Sequence, residues 1–242
     1  MTTYAIGDIH GHLDLLRRAH DLIAADGGGT VVHVGDLVDR GPDSRGVVEY
    51  LRTGVAAGQP WVVLKGNHDR MFSRFLKDPM EPEDGLRADL SWLHPKLGGG
   101  ATLASYGVRN ASDRPVRKVH AEAVQSVPAD HRAFLAALPM MHNVPGAVFV
   151  HAGIKPGVPL DQQAETDLVW IRGAFLTARI DHGALIVHGH TAIDAATHYG
   201  NRLNIDSGAA YGGPLSAVVL EGSEAFHLTP QGRVRLVPQP TW

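Results

Sequence analysis

Short apolar runs alternate with segments of helical period through the first half of the chain, the pattern expected of strand–helix–strand units. Tyr4, Ala5 and Ile6 form an apolar run that stops at Gly7 and Asp8. Leu16, Ala19, His20 and Ile23 then recur at i, i+3, i+4 and i+7, which predicts a helix. Val31 to Val34 predicts a second strand, ending at Gly35 and Asp36. Asp43 or Ser44 is placed to cap a helix reaching about Arg52, and Trp61 to Leu64 predicts a third strand that ends at Gly66 and Asn67. Each predicted strand delivers polar residues at its carboxyl end.

The second half reads mostly as strands: Ala147 to Val150, Leu185 to Val187, Leu203 to Ile205 and Leu215 to Leu220, then a terminal pair at Ala225 to His227 and Val234 to Val237. Helices are expected over Ala129 to Leu138 and within Glu165 to Ala178. Between the halves, residues 78–128 change character, with DPMEPEDG, a glycine triplet at Gly98 to Gly100, and a basic cluster of Arg109, Arg114, Arg117 and Lys118. This stretch reads as a helical insertion or cap, too short to carry much core of its own, so residues 1–242 are expected to form one domain. The basic cluster reads as a solvated face. No internal repeat or disordered tail is evident.

Composition narrows the chemistry. The 242 residues include 28 Gly and 15 Pro, an excess that implies many tight turns but falls short of low complexity. There is no Cys, which excludes disulfides, thiolate zinc sites, iron–sulfur clusters and cysteine nucleophiles. Any metal must be held by imidazole, carboxylate, amide or water, and 15 His are available. A net charge of −3 gives no global field to recruit nucleic acid or an anionic membrane. No apolar run approaches the ~18 residues of a membrane span, and the opening MTTYAIGD lacks the basic region of a signal peptide, so a cytoplasmic location is expected.

Five strings share one design, in which an apolar strand ends in Gly and then presents a ligand-type side chain: GDIHG (Gly7 to Gly11), GDLVDRG (Gly35 to Gly41), GNHD (Gly66 to Asp69), HAG (His151 to Gly153) and HGH (His188 to His190). Strand carboxyl ends are where open sheets gather ligands. Asp8 and His10, one residue apart, can face the same side as the strand runs out, and a carboxylate with an imidazole suits Mn2+, Fe or Zn2+ better than Ca2+. Asp36, Asn67, His151 and His190 add four more ligand types. Six ligands exceed one tetrahedral ion and suit two ions ~3.5–4 Å apart. The competing reading makes Asp8 and Asp36 helix N-caps, which accounts for neither His10 nor Asn67.

These five strings, in this order, resemble the calcineurin-like metallophosphoesterases, and within them the phosphoprotein phosphatase branch with its small bacterial and phage lambda-type members. NIDSGAAYGG extends the similarity to Gly213, so most of the chain is covered. The resemblance implies an α/β fold, a mixed β-sandwich flanked by helices. It implies that Asp8, His10 and Asp36 hold a first divalent metal, that Asp36 bridges, and that Asn67, His151 and His190 complete a second, Mn2+ before Fe or Zn. Which metal His190 serves stays open. His68 is implied as general acid, with Asp39 as the carboxylate that orients it and favours its charged form. Arg40 is implied to grip the substrate phosphate, and Arg172 in LVWIR stands where lambda-type relatives carry a second such arginine. Arg172 can equally close a helix end.

Other histidines have simpler readings. His20 and His33 lie on apolar faces and read as satisfied core residues, while His12 and His188 suit support of a ligand. His94, His120, His131, His142, His182, His198 and His227 lie outside every motif. Tyr211 either lines the pocket or sits exposed on a turn.

The expected reaction is hydrolysis of a phosphomonoester, foremost phosphoserine or phosphothreonine in proteins, by in-line attack of a hydroxide bridging the metals, with His68 protonating the departing alkoxide. The partner is then a phosphorylated protein or a small phosphoester. The alternative is symmetrical hydrolysis of diadenosine tetraphosphate, whose enzymes share GDIHG, GNHD and HAG. Asp39, and the lack of a long insertion between His151 and His190, favour the phosphatase. A nuclease would show a basic groove or stacking aromatics, whereas aromatic residues are 6 % of the chain. An inactive scaffold would have a broken ligand set, and here every position is filled.

Overall fold

The computed structural model describes residues 2–222 and 224–239. Strands β1 (Thr2–Ile6), β2 (Thr30–His33) and β3 (Trp61–Val63) run parallel, joined through helices α1 (Leu13–Ala25) and α2 (Ser44–Ala56). Helix α1 forms because its apolar spacing puts Leu16, Ala19 and Ile23 on one buried face. Of the two candidate caps for α2, Asp43 is the one used: its carboxylate accepts Gly46 N–H at 2.8 Å, and Ser44 turns inward instead. After β3 the chain goes directly into α3 (Asn67–Lys77), which the sequence pattern did not reveal because GNHD reads as the end of a strand. Its buried stripe of Met71, Phe72, Phe75 and Leu76 carries the missed helical signal.

Residues 78–98 contain turns and no helix, because Pro79, Pro82 and Pro95 interrupt any helical ladder. The segment becomes helical only at α4 (Gly99–Ser105) and α5 (Val116–Ser126), which precede α6 (Ala129–Ala137). Trp92, Leu93, Leu103 and Val119 from this segment share one core with Ile6, Leu16 and Val47. Arg114 of the basic cluster pairs with Glu122 at the surface.

The second sheet is built from β4 (Met141–Val144), β5 (Ala147–Val150), β6 (Leu185–His188), β7 (Thr197–His198) and β8 (Arg202–Asn204), in the order β4-β5-β6-β8-β7. Its β5, β6 and β8 are parallel, and the short edge strands β4 and β7, both unforeseen, are antiparallel. Two short helices, α7 (Glu165–Trp170) and α8 (Gly173–Leu176), replace the single helix expected there. Strands β9 (Ala217–Glu221), β10 (Glu224–Thr229) and β11 (Gly232–Arg235) return to the first sheet, whose order is β11-β10-β9-β1-β2-β3.

Side-chain alternation explains the layering. Ala5, Val32 and Val34 of the first sheet meet Ala147, Phe149, Val187 and Leu203 of the second, forming the filling of a sandwich. Tyr4, Ile6 and Val31 point the other way, into a core closed by α1, α2 and α3. Val148, Val150 and Ile186 face outward under Leu168 and Phe175 of α7 and α8. The fold is thus the expected mixed α/β sandwich flanked by helices, and the parallel strands of both sheets end along one edge. Among the described residues no helix is long and apolar enough to cross a membrane.

Candidate metal centre

That edge collects the chemistry. Asp8 and His10 follow β1, Asp36, Asp39 and Arg40 follow β2, Asn67 and His68 open α3 after β3, His151 follows β5, and His190 follows β6. The backbone is bent sharply to present them: His10, Asp36, Asp39, Arg40 and His190 all have positive φ, a region that costs side-chain-bearing residues about 1–3 kcal/mol each. Gly66 is needed for the approach of the β2 and β3 ends, since a side chain there would overlap Asp36 Oδ1.

Several buried polar atoms of the cluster lack a hydrogen-bond donor. His10 Nδ1 lies 2.8 Å from Val38 O and His151 Nδ1 lies 3.0 Å from Val34 O, contacts that only a protonated Nδ1 can make. Both rings therefore turn an Nε2 lone pair inward. His10 Nε2 is 3.4 Å from Asp36 Oδ2, and His151 Nε2 is 3.4 Å from Asp36 Oδ1. His151 Nε2 also stands 2.9 Å from Asn67 Oδ1, which is likewise 2.9 Å from His190 Nδ1. Around His151, acceptors thus face acceptors across a buried gap. Asp8 Oδ2 accepts His190 N–H at 3.0 Å, while Asp8 Oδ1 and His190 Nε2 find no hydrogen-bond partner among the described residues. Converging lone pairs without a shared proton are repulsive, and divalent cations are what such a donor set fits.

The potential ligands fall into two groups, His10 with Asp36 and His68, and Asp36 with His151 and His190, so Asp36 belongs to both. Charge follows burial. Burial pushes the His10, His151 and His190 pKa values down, which leaves neutral imidazoles, the form a metal requires. Burial, then Asp206 and Asp36, push Asp8 well above the usual carboxylate range. Burial also works against charge on Asp36, while attraction to any charge on the His151, His68, His10 and His190 rings around it draws its pKa down.

His68 sits beside this cluster, with Nδ1 2.6 Å from Asp39 Oδ2 and Nε2 accepting Arg40 Nη2–H at 3.0 Å. Arg40 is turned inward, its Nη1 donating to His10 Nε2 at 2.6 Å. A cavity of about 410 Å³ opens over the cluster, with Arg40, Arg172, Trp170 and Leu86 among its walls. Arg172 occupies the break between α7 and α8, as N-cap of α8, and its Nη2 donates to His190 O at 3.3 Å. Tyr211 lines the mouth with 70 % of its surface exposed, its ring 5.3 Å from the Arg40 guanidinium carbon. Both readings of Tyr211 are therefore realised in part.

His188 is buried directly before Gly189 and His190; its Nδ1–H donates to Gly189 O and its Nε2 accepts from Arg202 at 3.2 Å. Burial, with Arg202, pushes it down to about 3. His12 is the half-buried N-cap of α1 and makes no side-chain cap bond. Four residues escaped the sequence reading. Asp206 enters the cavity wall with its pKa pushed up by burial to about 6, and its signal was present, since it ends the apolar Leu203–Ile205 run and is followed within two residues by Gly208. Asp69 accepts Gly66 N–H at 2.8 Å and Leu37 N–H at 2.9 Å, tying the two loops together. Trp92 and Thr102 contact Asp39 from far along the chain, and no local pattern marks them.

Comparison with known proteins agrees with this geometry. A family model described as calcineurin-like phosphoesterase matches residues 1–219. The chain is 26 % identical over 223 residues to serine/threonine-protein phosphatase 2 of Escherichia coli K12, covering 88 % of this chain and 90 % of that one. It is 43 % identical over 133 residues to a symmetrical bis(5'-nucleosyl)-tetraphosphatase of Aeromonas salmonicida, covering 50 % and 44 %. A crystal structure provisionally assigned as a diadenosine tetraphosphatase superposes with a TM-score of 0.67 at 24 % identity, over 98 % of this chain and 94 % of that one.

Proposed function

The chain belongs to the calcineurin-like phosphoesterase family, and from that premise we propose that it acts as a two-metal protein serine/threonine phosphatase. That the chain is a metal-dependent phosphoric ester hydrolase follows from the family and from phosphatase-named relatives. The observation that supports a serine/threonine phosphatase is the His68–Asp39 pair, 2.6 Å apart and next to both Arg40 and the Asp36 cluster.

Asp8, His10 and Asp36 would hold one cation, Asn67, His151 and His190 the other, with Asp36 shared. An oxygen and imidazole set without thiolate suits Mn2+, and is compatible with Fe or Zn. When bound, the two cations supply the charge that brings a water toward neutral pKa and offsets charge on the phosphoryl oxygens. Arg40, freed from the His10 lone pair, turns to fork two phosphate oxygens, and Arg172 reaches them from the other wall. With Nδ1–H fixed on Asp39, a proton carried on His68 Nε2 faces the cavity and is delivered to the departing oxygen. The leaving group of a phosphoserine or phosphothreonine needs that proton, because an alkoxide is a poor leaving group.

A second reading, cleavage of a dinucleoside tetraphosphate, is favoured by the Aeromonas relative and by the exposed Tyr211 ring, a surface on which a base can stack. Turnover of a phosphoserine peptide and of diadenosine tetraphosphate by the Mn2+-loaded protein separates the two. A higher kcat/KM on the peptide supports the phosphatase, and the reverse order replaces it with the hydrolase.

A further inference from the structure

Asp39 and Arg40 are consecutive residues with φ of 75° and 67°. Such a turn persists only if its surroundings fix it. Besides Ser44 Oγ, which accepts Asp39 N–H at 3.1 Å, the groups that fix it come from the segment between Trp92 and Thr102, more than fifty residues further along the chain. Trp92 Nε1–H donates to Asp39 Oδ2 at 2.8 Å, the oxygen that also receives His68 Nδ1–H. Thr102 Oγ1–H donates to Asp39 Oδ1 at 2.6 Å, and the same hydroxyl accepts Asp39 N–H at 2.8 Å. Gly98 O accepts Arg40 N–H at 3.4 Å, and a side chain at Gly98 would collide with the Arg40 backbone. The Trp92 indole is itself immobilised, stacked on Phe72 at 5.2 Å and packed on Phe75 at 4.8 Å. Both phenylalanines belong to α3, the helix that begins at Asn67 and His68. Asp39 is fully buried, so each of its oxygens depends on these donors.

We infer that Trp92 and Thr102 are positioning residues for the leaving-group acid: they lock the Asp39 carboxylate, and Asp39 in turn fixes the ring of His68 at the cavity. The inference rests on the proposed acid role of His68 and extends it to a segment that no motif marks. Were Trp92 only a core side chain, its loss would reduce turnover of every substrate in proportion to the folded fraction. A positioning role is selective, because proton donation matters for a poor leaving group and little for a good one.

The test uses the full-length, Mn2+-loaded protein with a phosphoserine peptide and with p-nitrophenyl phosphate, whose phenolate departs without a proton. Trp92→Phe removes the N–H and keeps a ring, Thr102→Val removes the hydroxyl and keeps the shape, and Thr102→Ser restores the hydroxyl. Trp92→Phe and Thr102→Val are expected to lower peptide turnover by about tenfold or more, the scale of a lost bond to a charged group, with p-nitrophenyl phosphate within about threefold. Thr102→Ser is expected to stay within about threefold of the parent on both. His68→Asn, run alongside, sets the full size of the split. A split in His68→Asn with equal losses, or none, in Trp92→Phe and Thr102→Val overturns the positioning role alone. No split in His68→Asn overturns the acid role, and the positioning role with it.

Discussion

One histidine cluster lies where the strands of the two sheets end and another lies between the first sheet and helices α1 and α2, and they differ in one respect. Around Asp36, His10 and His151 give Nδ1–H to backbone oxygen; His151 Nε2 then faces only the acceptors Asp36 Oδ1 and Asn67 Oδ1, His190 Nε2 has no partner among the described residues, and His10 Nε2 is met only by the Arg40 guanidinium. Between the sheet and helices α1 and α2, His20 and His33 form a closed chain: Tyr50 O–H donates to His20 Nδ1 at 3.2 Å, His20 Nε2–H to His33 Nε2 at 2.9 Å, and His33 Nδ1–H to Val62 O at 3.3 Å. Every donor there finds an acceptor, and the rings pack edge-on against Trp61. Burial pushes His33 down to about 3 and His20 to about 4, so both are neutral, like the imidazoles of the metal centre. Buried neutral histidine is therefore no mark of a site by itself. The mark is an unclosed set of acceptors, which a cation completes.

The largest effect is expected at Asp36, the residue shared by both groups of potential ligands. Asp36→Asn should weaken Mn2+ binding by at least roughly 10²-fold, since outer-shell partners alone are worth 10–100-fold. The Mn2+ dependence of turnover reads this directly, and an unchanged activation curve would deny Asp36 its place. His68→Asn should cut kcat on a phosphoserine peptide by about 10²–10⁴ while metal content stays at the parent level, because an acid is lost and no ligand is. Loss of metal in that variant would instead make His68 a ligand, a role its membership of the His10–Asp36 group makes worth excluding.

The closed cluster should respond to pH through stability and hardly at all through activity. His33 and His20 titrate lower in the fold than the ordinary 6.5, so their contribution is complete above pH 6.5 and falls as pH drops toward about 4, where the unfolded chain binds protons that the fold excludes. Each extra proton taken up by the unfolded chain sets a slope of at most about 1.4 kcal/mol per pH unit. Thermal melts of the parent and of His20→Phe/His33→Leu across this range should show a flatter acid limb in the double variant. Its turnover at neutral pH should lie within about twofold of the parent, and parallel melting curves would refute the closed-chain reading.

What the sequence made legible was local. Asp8, His10, Asp36, Asn67, His151 and His190 each sit within a few residues of the glycine that ends a strand, and the apolar runs before them have the right length and period. Asp206 follows the same rule, yet its weak polar neighbours gave it no ligand-like string. Helix α3 was hidden because its first residues belong to the GNHD string, which masked the stripe of Met71, Phe72, Phe75 and Leu76 behind it. The clamp on Asp39 was not legible at all. Trp92 and Thr102 reach it across 53 and 63 residues of sequence, and only the folded chain shows that the segment with the glycine triplet packs on the Asp39–Arg40 turn.

On the proposed reading, the acceptors around Asp36 form a site for two cations, whereas the closed His20–His33 chain holds none. Elemental analysis of the purified chain after loading with Mn2+ and removal of free ion tests it. About two Mn2+ per chain are expected, kept in His20→Phe/His33→Leu and lost in Asp36→Asn. A parent protein that retains no metal, or an Asp36→Asn variant that retains as much as the parent, would contradict it.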